Sequence, residues 1–371
     1  MCFNNNKNCE TGWSRGNLHT HSEHIFTSVT SIISKPCILI LILRMFPLLL
    51  PAFLCGCSKS PDGYRTATDK PDMPIIKVKG IEGEYSGGTL DILTYNNDRL
   101  CRLDSYQRIE DFHGRTVKAE HREGEKTVIL LYNLKRKPFA WNEICSISTA
   151  GKLSCSLEEE DPQKPFMAGT CLLDQSGDNT AELAPLSSRI CLRSISCDFS
   201  GTAYAGNTIK DLKAYITNVN AEYPITGGNG GKPGRIINAG MLNHDDLRKF
   251  RCPEIIYREI AEELGKISMT TDAFFLCYPN TSSEDAPGSP FTRLVIEGRI
   301  DSNTYYWPIN INRSGKGSST AGIESNFTYC YDIAIRRKGV TDPDTPIDPK
   351  DIDIIMTIKP WNEKENCNVS F

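Results

Sequence analysis

The stretch FTYCYDIAIRRKGVTDPDTPIDPKDIDIIMTIKPW, Phe327–Trp361, holds the two clearest alternations in the chain. Phe327, Tyr329, Tyr331, Ile333 and Ile335 recur at every second position, and so do Ile352, Ile354, Met356 and Ile358. A period of two places the apolar side chains of each run on one face, the pattern of a half-buried strand. The proline-rich connection TDPDTPIDPKD, Thr341–Asp351, separates them.

Working toward the N-terminus, further strand-like runs cover Thr304–Ile311, Thr292–Ile300, Ala273–Tyr278, Leu212–Val219 and Arg189–Ser196. Upstream, Thr127–Tyr132 is a continuous apolar run of buried-strand length. Leu90, Ile92 and Thr94 alternate with Asp91, Leu93 and Tyr95 before an Asn96-Asn97-Asp98 turn, and Ile76 and Val78 alternate with Lys77 and Lys79. Trp141–Ile147 and Lys152–Leu157 read as shorter elements. One helix is predicted, from Asp245 to Leu264 with a break at Pro253. Asn243 serves as its cap and Gly265 as its stop, and Ile256, Ile260 and Leu264 form its covered face. The polar Ser176–Asn179 stretch marks a boundary between two domains, residues 75–180 and 181–371. Many short strands, proline-rich turns and one surface helix give an all-β fold of β-sandwiches.

Composition narrows the function. The 371 residues are 39% hydrophobic, 24% charged and 9% aromatic, as in a folded globular protein. Lys+Arg 42 against Asp+Glu 46, a net charge of −4, leaves no basic surplus for a nucleic acid. Only His113, His121 and His244 follow residue 25, and none sits in a catalytic motif. Glu158, Glu159, Glu160 and Asp161 read as a solvated acidic turn. The glycine-rich loop Gly227–Gly234 fails as a phosphate loop, because Pro233 stands where Ser or Thr would hold magnesium. No cofactor fingerprint or metal spacing appears, and no catalytic role is expected. The ten cysteines from Cys101 to Cys367 form no CxxC pair, and their pairing is not set by spacing. Trp141, Tyr305, Tyr306 and Trp307 either line a ligand face or act as core and cross-strand pairs, with the second reading preferred.

The front of the chain carries a targeting signal. From Cys37 to Cys55 every residue is apolar except Arg44, which suffices for a membrane span on length alone. Pro47, Pro51 and Arg44 disfavour a spanning helix, and a secretory signal is the better reading. Leu54-Cys55-Gly56-Cys57 resembles the bacterial lipobox, with Cys57 as the acylated residue and residues 57–74 as a proline-bearing tether. Residues 1–56 are then a leader. Its first 42 residues are expected to be a start-site artefact, which removes His19, His21 and His24 as ligands; Met45 is an alternative start.

The order TLDILTYNNDRLCRLDSYQR, TVILLYNL, PLSSRICLRSISCDF, LKAYITNVNAEYPI, YYWPINI and YDIAIRRKGVTDPDTPIDPKDIDIIMTIKPWNEKENCNVSF resembles the fimbrillin-type pilins, subunits of type V pili, with their anchor and tip relatives. The resemblance implies two tandem transthyretin-like β-sandwiches. It implies an adhesive fimbrial subunit exported to the outer membrane through its lipid, with other fimbrial subunits and a trypsin-like protease as partners. In such pilins an N-terminal strand fills a groove until proteolysis removes it, and another subunit's C-terminal strand replaces it. Ile76 and Val78 would be the first occupant here, and Cys367, Val369 and Phe371 the donor face, unless Asn366–Phe371 is only a frayed tail. The processing candidates are Arg65 and Lys79, since no Arg or Lys lies between Lys79 and Arg99. Shaft, tip and anchor positions stay open. The alternative is a lipid-anchored surface protein that binds a glycan or host ligand without polymerising.

Overall fold

Alternation along the chain becomes two pairs of sheets in a computed structural model, which describes residues 73–81, 87–173, 179–228, 233–282, 291–313 and 321–361. All of these belong to the unit Ala67–Phe371. Cys57, Arg65, Cys367, Val369 and Phe371 lie outside the described residues.

In chain order the first half contains β1 (Ile75–Lys79), β2 (Gly88–Asn96), β3 (Leu103–Phe112), β4 (Thr116–Lys118) and β5 (Lys126–Tyr132). Two four-residue helices follow, α1 (Trp141–Ile144) and α2 (Ile147–Ala150), then β6 (Ser154–Ser156), β7 (Met167–Leu173), β8 (Thr180–Glu182) and β9 (Ala184–Pro185). A five-stranded sheet, β3-β2-β5-β7-β9, faces a three-stranded sheet, β4-β1-β8. The uninterrupted apolar run of β5 has a direct cause, because both of its faces are covered. Val128, Leu130 and Tyr132 join Leu90 and Ile92 in the core against the small sheet. Ile129 and Leu131 join Leu93 and Tyr95 in a second core that continues into the rest of the chain.

The second half contains β10 (Ser188–Cys197), β11 (Ile209–Thr217), β12 (Val219–Asn220), β13 (Glu222–Pro224), β14 (Ile236–Ile237), α3 (His244–Leu247), β15 (Tyr257–Leu264), β16 (Met269–Cys277), β17 (Arg293–Ile300), β18 (Asn303–Asn310), β19 (Phe327–Ile335) and β20 (Ile352–Pro360). Two four-stranded sheets result, β16-β10-β19-β20 and β15-β11-β17-β18. The two alternating runs that open the sequence reading pair with each other, antiparallel and without a register break, from Phe327↔Pro360 to Ile335↔Ile352. One short ladder links the halves, β13 with β6, from Glu222↔Ser156 to Pro224↔Ser154.

The predicted helix does not form. Asn243 does cap a helix, its side chain accepting from Asp245 N at 2.9 Å, but α3 ends at Leu247. Pro253 opens a single 3-10 turn, Pro253–Ile255, and β15 follows as an edge strand antiparallel to β11. A spacing of four is an even number, so Ile256, Ile260 and Leu264 lie on one side of an extended chain as well as of a helix. Pairing with β11 decides between the two, and a bulge opposite Leu212/Lys213 adjusts the register. Glu259, Glu262 and Glu263 then put charge on an unpaired edge, which discourages adventitious strand pairing. Trp141–Ile147, a shorter element by sequence, forms α1 and the start of α2.

Trp307 is the largest side chain fully withdrawn from solvent. Its Nε1–H donates to Arg337 O at 3.0 Å, and the ring lies against Gly339 in the segment that follows β19, where a Cβ would sit 2.1 Å from Tyr306 O. Trp307→Ala is therefore expected to cost about 3–5 kcal/mol, measured by urea unfolding as a lower midpoint at unchanged slope.

Candidate functional site

The small sheet of the first half is built around one strand. β1 pairs antiparallel with β4, through Ile75↔Lys118, Ile76↔Val117 and Lys77↔Thr116. On its other side it pairs parallel with β8, through Lys77↔Thr180, Val78↔Ala181 and Lys79↔Glu182. β4 and β8 do not pair with each other. Each edge of β1 is therefore fully engaged: Val78 N donates to Arg115 O and Ala119 N to Pro74 O on one side. On the other, Lys77 N donates to Asn179 O and Leu183 N to Lys79 O, at 2.8 and 2.9 Å.

Alternation in β1 does the rest. Ile76 is 0% exposed and Val78 6%, packed with Val117, Ala181 and Leu183, whereas Ile75, Lys77 and Lys79 point outward. Burying the two side chains contributes roughly 1.5–3 kcal/mol each, and each backbone bond adds about 0.5–1.5 kcal/mol net. Gly80 ends the strand at φ +91°, and a Cβ there would lie 2.0 Å from Leu183 O, so the backbone can turn out of the slot only at a glycine. Removing β1 would leave two facing rows of unpaired backbone groups over an apolar floor. That is the arrangement an added strand with apolar residues at i and i+2 satisfies.

The two processing candidates differ in where they fall. Lys79 is the last residue of β1 and is exposed, so a cut after it severs the strand from the core. Arg65 precedes β1 in sequence, and a cut there leaves the strand attached.

The aromatic candidates are not brought to one face. Trp141 is 64% exposed at the start of α1, Tyr305 and Tyr306 are half-buried on β18, and Trp307 is core. His113 pairs with Asp111 at 3.0 Å after β3, while His121 follows β4 and His244 opens α3. Of the nine described cysteines, five are buried.

The acidic run needs a correction. Glu158 pairs with Arg235 at 3.0 Å, and Glu160 is not a solvated turn residue but fully buried. Ser187 Oγ donates to its carboxyl at 2.8 Å, and Phe166 N and Tyr278 OH approach at 3.4 Å. Burial pushes the Glu160 carboxyl up to about 8, only partly offset by those hydrogen bonds. Four consecutive acids in sequence gave no signal that the third turns inward; the tertiary contacts with Ser187 and Tyr278 supply it.

Among solved structures, a candidate cell adhesion protein from Parabacteroides distasonis ATCC 8503 is similar, with TM-score 0.56 and 16% identity over 80% of this chain and 94% of that one. A fimbrilin from Porphyromonas gingivalis W83 matches with TM-score 0.54 and 14% identity, over 78% and 97%. A candidate cell adhesion protein from Bacteroides eggerthii DSM 20697 matches with TM-score 0.53 and 13% identity, over 78% and 96%. No protein-family model matches the sequence, and no curated protein does. At these identities the shared property is the fold, an all-β sandwich architecture of fimbrilin type.

Two outcomes follow from the site. Ile76→Asp puts an unpaired carboxylate in the slot and is expected to lower stability by roughly 3 kcal/mol, with faster hydrogen exchange at Val78 and Leu183 amides than elsewhere. For Glu160, the folded carboxyl holds its proton up to about 8 against 4.5 for the free group. Its contribution is therefore full below the lower value and lost as pH rises through the upper one. Stability measured by denaturant is expected to fall across that window by a few kcal/mol, at about 1.4 kcal/mol per unit. Glu160→Gln is expected to flatten the slope.

Proposed function

We propose that the chain is a structural, adhesive fimbrial subunit. It would be exported as an outer-membrane lipoprotein through Cys57, and assembled by protease-triggered exchange of β1 for a donor strand from another subunit. The observation that carries this reading is the position of β1, hydrogen-bonded on both edges by strands that do not touch each other. A strand in that position leaves a complete acceptor behind when it goes. The fold shared with a fimbrilin and with candidate cell adhesion proteins supports the same reading.

Cleavage after Lys79 by a trypsin-like protease is the step assigned to release β1, because its scissile bond lies between the strand and Gly80. The Lys79 carbonyl is hydrogen-bonded to Leu183 N, so the strand must open locally before the bond is reached. The incoming strand is assigned to Cys367, Val369 and Phe371 of another subunit, whose period of two matches that of Ile76 and Val78. The half that ends with β9 would then act as acceptor, and the half that begins with β10 as donor, in one link at the cell surface. A host or glycan ligand would be bound by the assembled fibre.

Limited trypsin treatment of the purified Ser58–Phe371 chain, followed by gels and electron microscopy, tests this. Trimming at Lys79 followed by SDS-resistant ladders or filaments is the expected result. Lys79→Ala should block the ladder, Arg65→Ala should not, and deletion of Asn366–Phe371 should abolish it. A trimmed, strictly monomeric product would favour a lipid-anchored binding protein that does not polymerise. A ladder that survives the deletion would overturn the donor-strand assignment.

A further inference from the structure

At the opposite end of the five-stranded sheet from Gly88, three groups that can react with one another are packed together. Asn96 ends β2 and Lys126 begins β5, and the two are direct cross-strand partners. Asn97 N donates to Glu125 O at 3.1 Å, while Asn96 N turns the other way to Arg102 O. The 96/126 pair is thus a non-hydrogen-bonded one, in which facing side chains lie closest.

Lys126 is 2% exposed, and a lysine is almost never so buried without a partner. Its Nζ donates to Asn96 Oδ1 at 2.6 Å and to Glu123 O at 3.4 Å, and lies 3.5 Å from Asp104 Oδ2. The Asp104 side chain is 2% exposed. It also accepts from Arg122 N at 2.7 Å, with the Arg122 guanidinium 3.9 Å away at the surface. Glu125, next to Lys126 in the chain, is engaged by Asn97 Nδ2 at 3.3 Å. An amine and a carboxyl group that are almost wholly buried therefore meet a half-buried carboxamide at one site.

We propose that Lys126 and Asn96 become joined by an intramolecular side-chain amide, with Asp104 carrying the proton. The Asp104 carboxylate takes one proton from the Lys126 ammonium, freeing the lone pair on Nζ. That nitrogen attacks Asn96 Cγ and the new C–N bond forms. The tetrahedral centre collapses, the Cγ–Nδ2 bond breaks, and the nitrogen leaves as ammonia. The second amine proton goes to the departing nitrogen, and Asp104 returns its own proton to the ammonia, leaving as ammonium. One amide replaces another, and no oxidant, reductant or cofactor is consumed. Proximity is what makes an unactivated amide react, since the partners are held in contact by strand register.

The link would close the segment between the two strands, which carries β3 and β4. β4 is one wall of the β1 slot. A covalent clasp at the root of that segment would hold the wall in place while β1 is absent. That consequence rests on the proposed function; the bond itself does not.

Mass spectrometry of the full folded chain tests it. The expected intact mass is lower than the sequence mass by one ammonia. Digestion after glutamate should yield a branched peptide joining the Asn96 and Lys126 segments, which Glu110, Glu120, Glu123 and Glu125 otherwise separate. A succinimide at Asn229-Gly230 would also lose ammonia, so the branched peptide is the deciding species. Lys126→Arg and Asn96→Ala should each restore the full mass, and Asp104→Asn should leave the chain unlinked while circular dichroism shows the same β content. Only linear peptides from folded wild-type chain would overturn the proposal, whatever the variants do. Polymerisation by a wild-type chain that gives only linear peptides would leave the strand-exchange reading standing while removing this one.

Discussion

The small sheet exists only because β1 lies between β4 and β8. Those strands are three residues each and make no ladder with one another, so neither has a partner along its inner edge without Ile75–Lys79. The same five residues close the first core, because Ile76 and Val78 are its lid over Leu90, Ile92, Val128 and Leu130. A single short segment thus satisfies two rows of backbone groups and one apolar floor. Its outward face carries Ile75 and two lysines. Loss of so short a segment would unpair both neighbours and uncover the apolar floor at once.

The second half is tied down differently. The strands of its two four-stranded sheets are eight to ten residues long, and loops between them are pinned by buried asparagines. Asn218 Nδ2 donates to Phe291 O, Asn238 Nδ2 to Ile216 O, and Asn280 Nδ2 to Thr292 Oγ1. Asn218, Asn238 and Asn312 all hold positive φ, where asparagine is tolerated better than other non-glycine residues. Arg293 is nearly buried, paired with Asp344 and stacked on Phe291. These contacts bind the proline-rich connection before β20 to the β17 strand, so the last hairpin is fixed at its loop as well as along its ladder. One half therefore carries a short strand held between two neighbours that do not pair with each other, and the other a frame fixed by long ladders.

Much of the fold was readable from alternation alone. The strands at Leu90–Tyr95, Thr127–Tyr132, Arg189–Ser196, Thr292–Ile300, Phe327–Ile335 and Ile352–Ile358 stand where a period of two or a buried run placed them. A pleated strand enforces that period, and one wrong step exposes a whole apolar face. The segment Ile256–Leu264 was misread because a spacing of four serves both a helix and a strand, and only its pairing with β11 breaks the tie. Glu160 was misread because four adjacent acids look alike until Ser187 and Tyr278 approach one of them.

Local pattern therefore determined which segments extend and which side of each is apolar, because those properties depend on neighbours two residues away. It also set Ile76 and Val78 in alternation with Lys77 and Lys79. Tertiary structure alone decided that β1 separates β4 from β8, that Glu160 is enclosed, and that Asn96, Asp104 and Lys126 converge. Each of those facts joins residues distant in the chain, and the free energy that joins them comes from burial and backbone pairing that exist only once the sheets have closed.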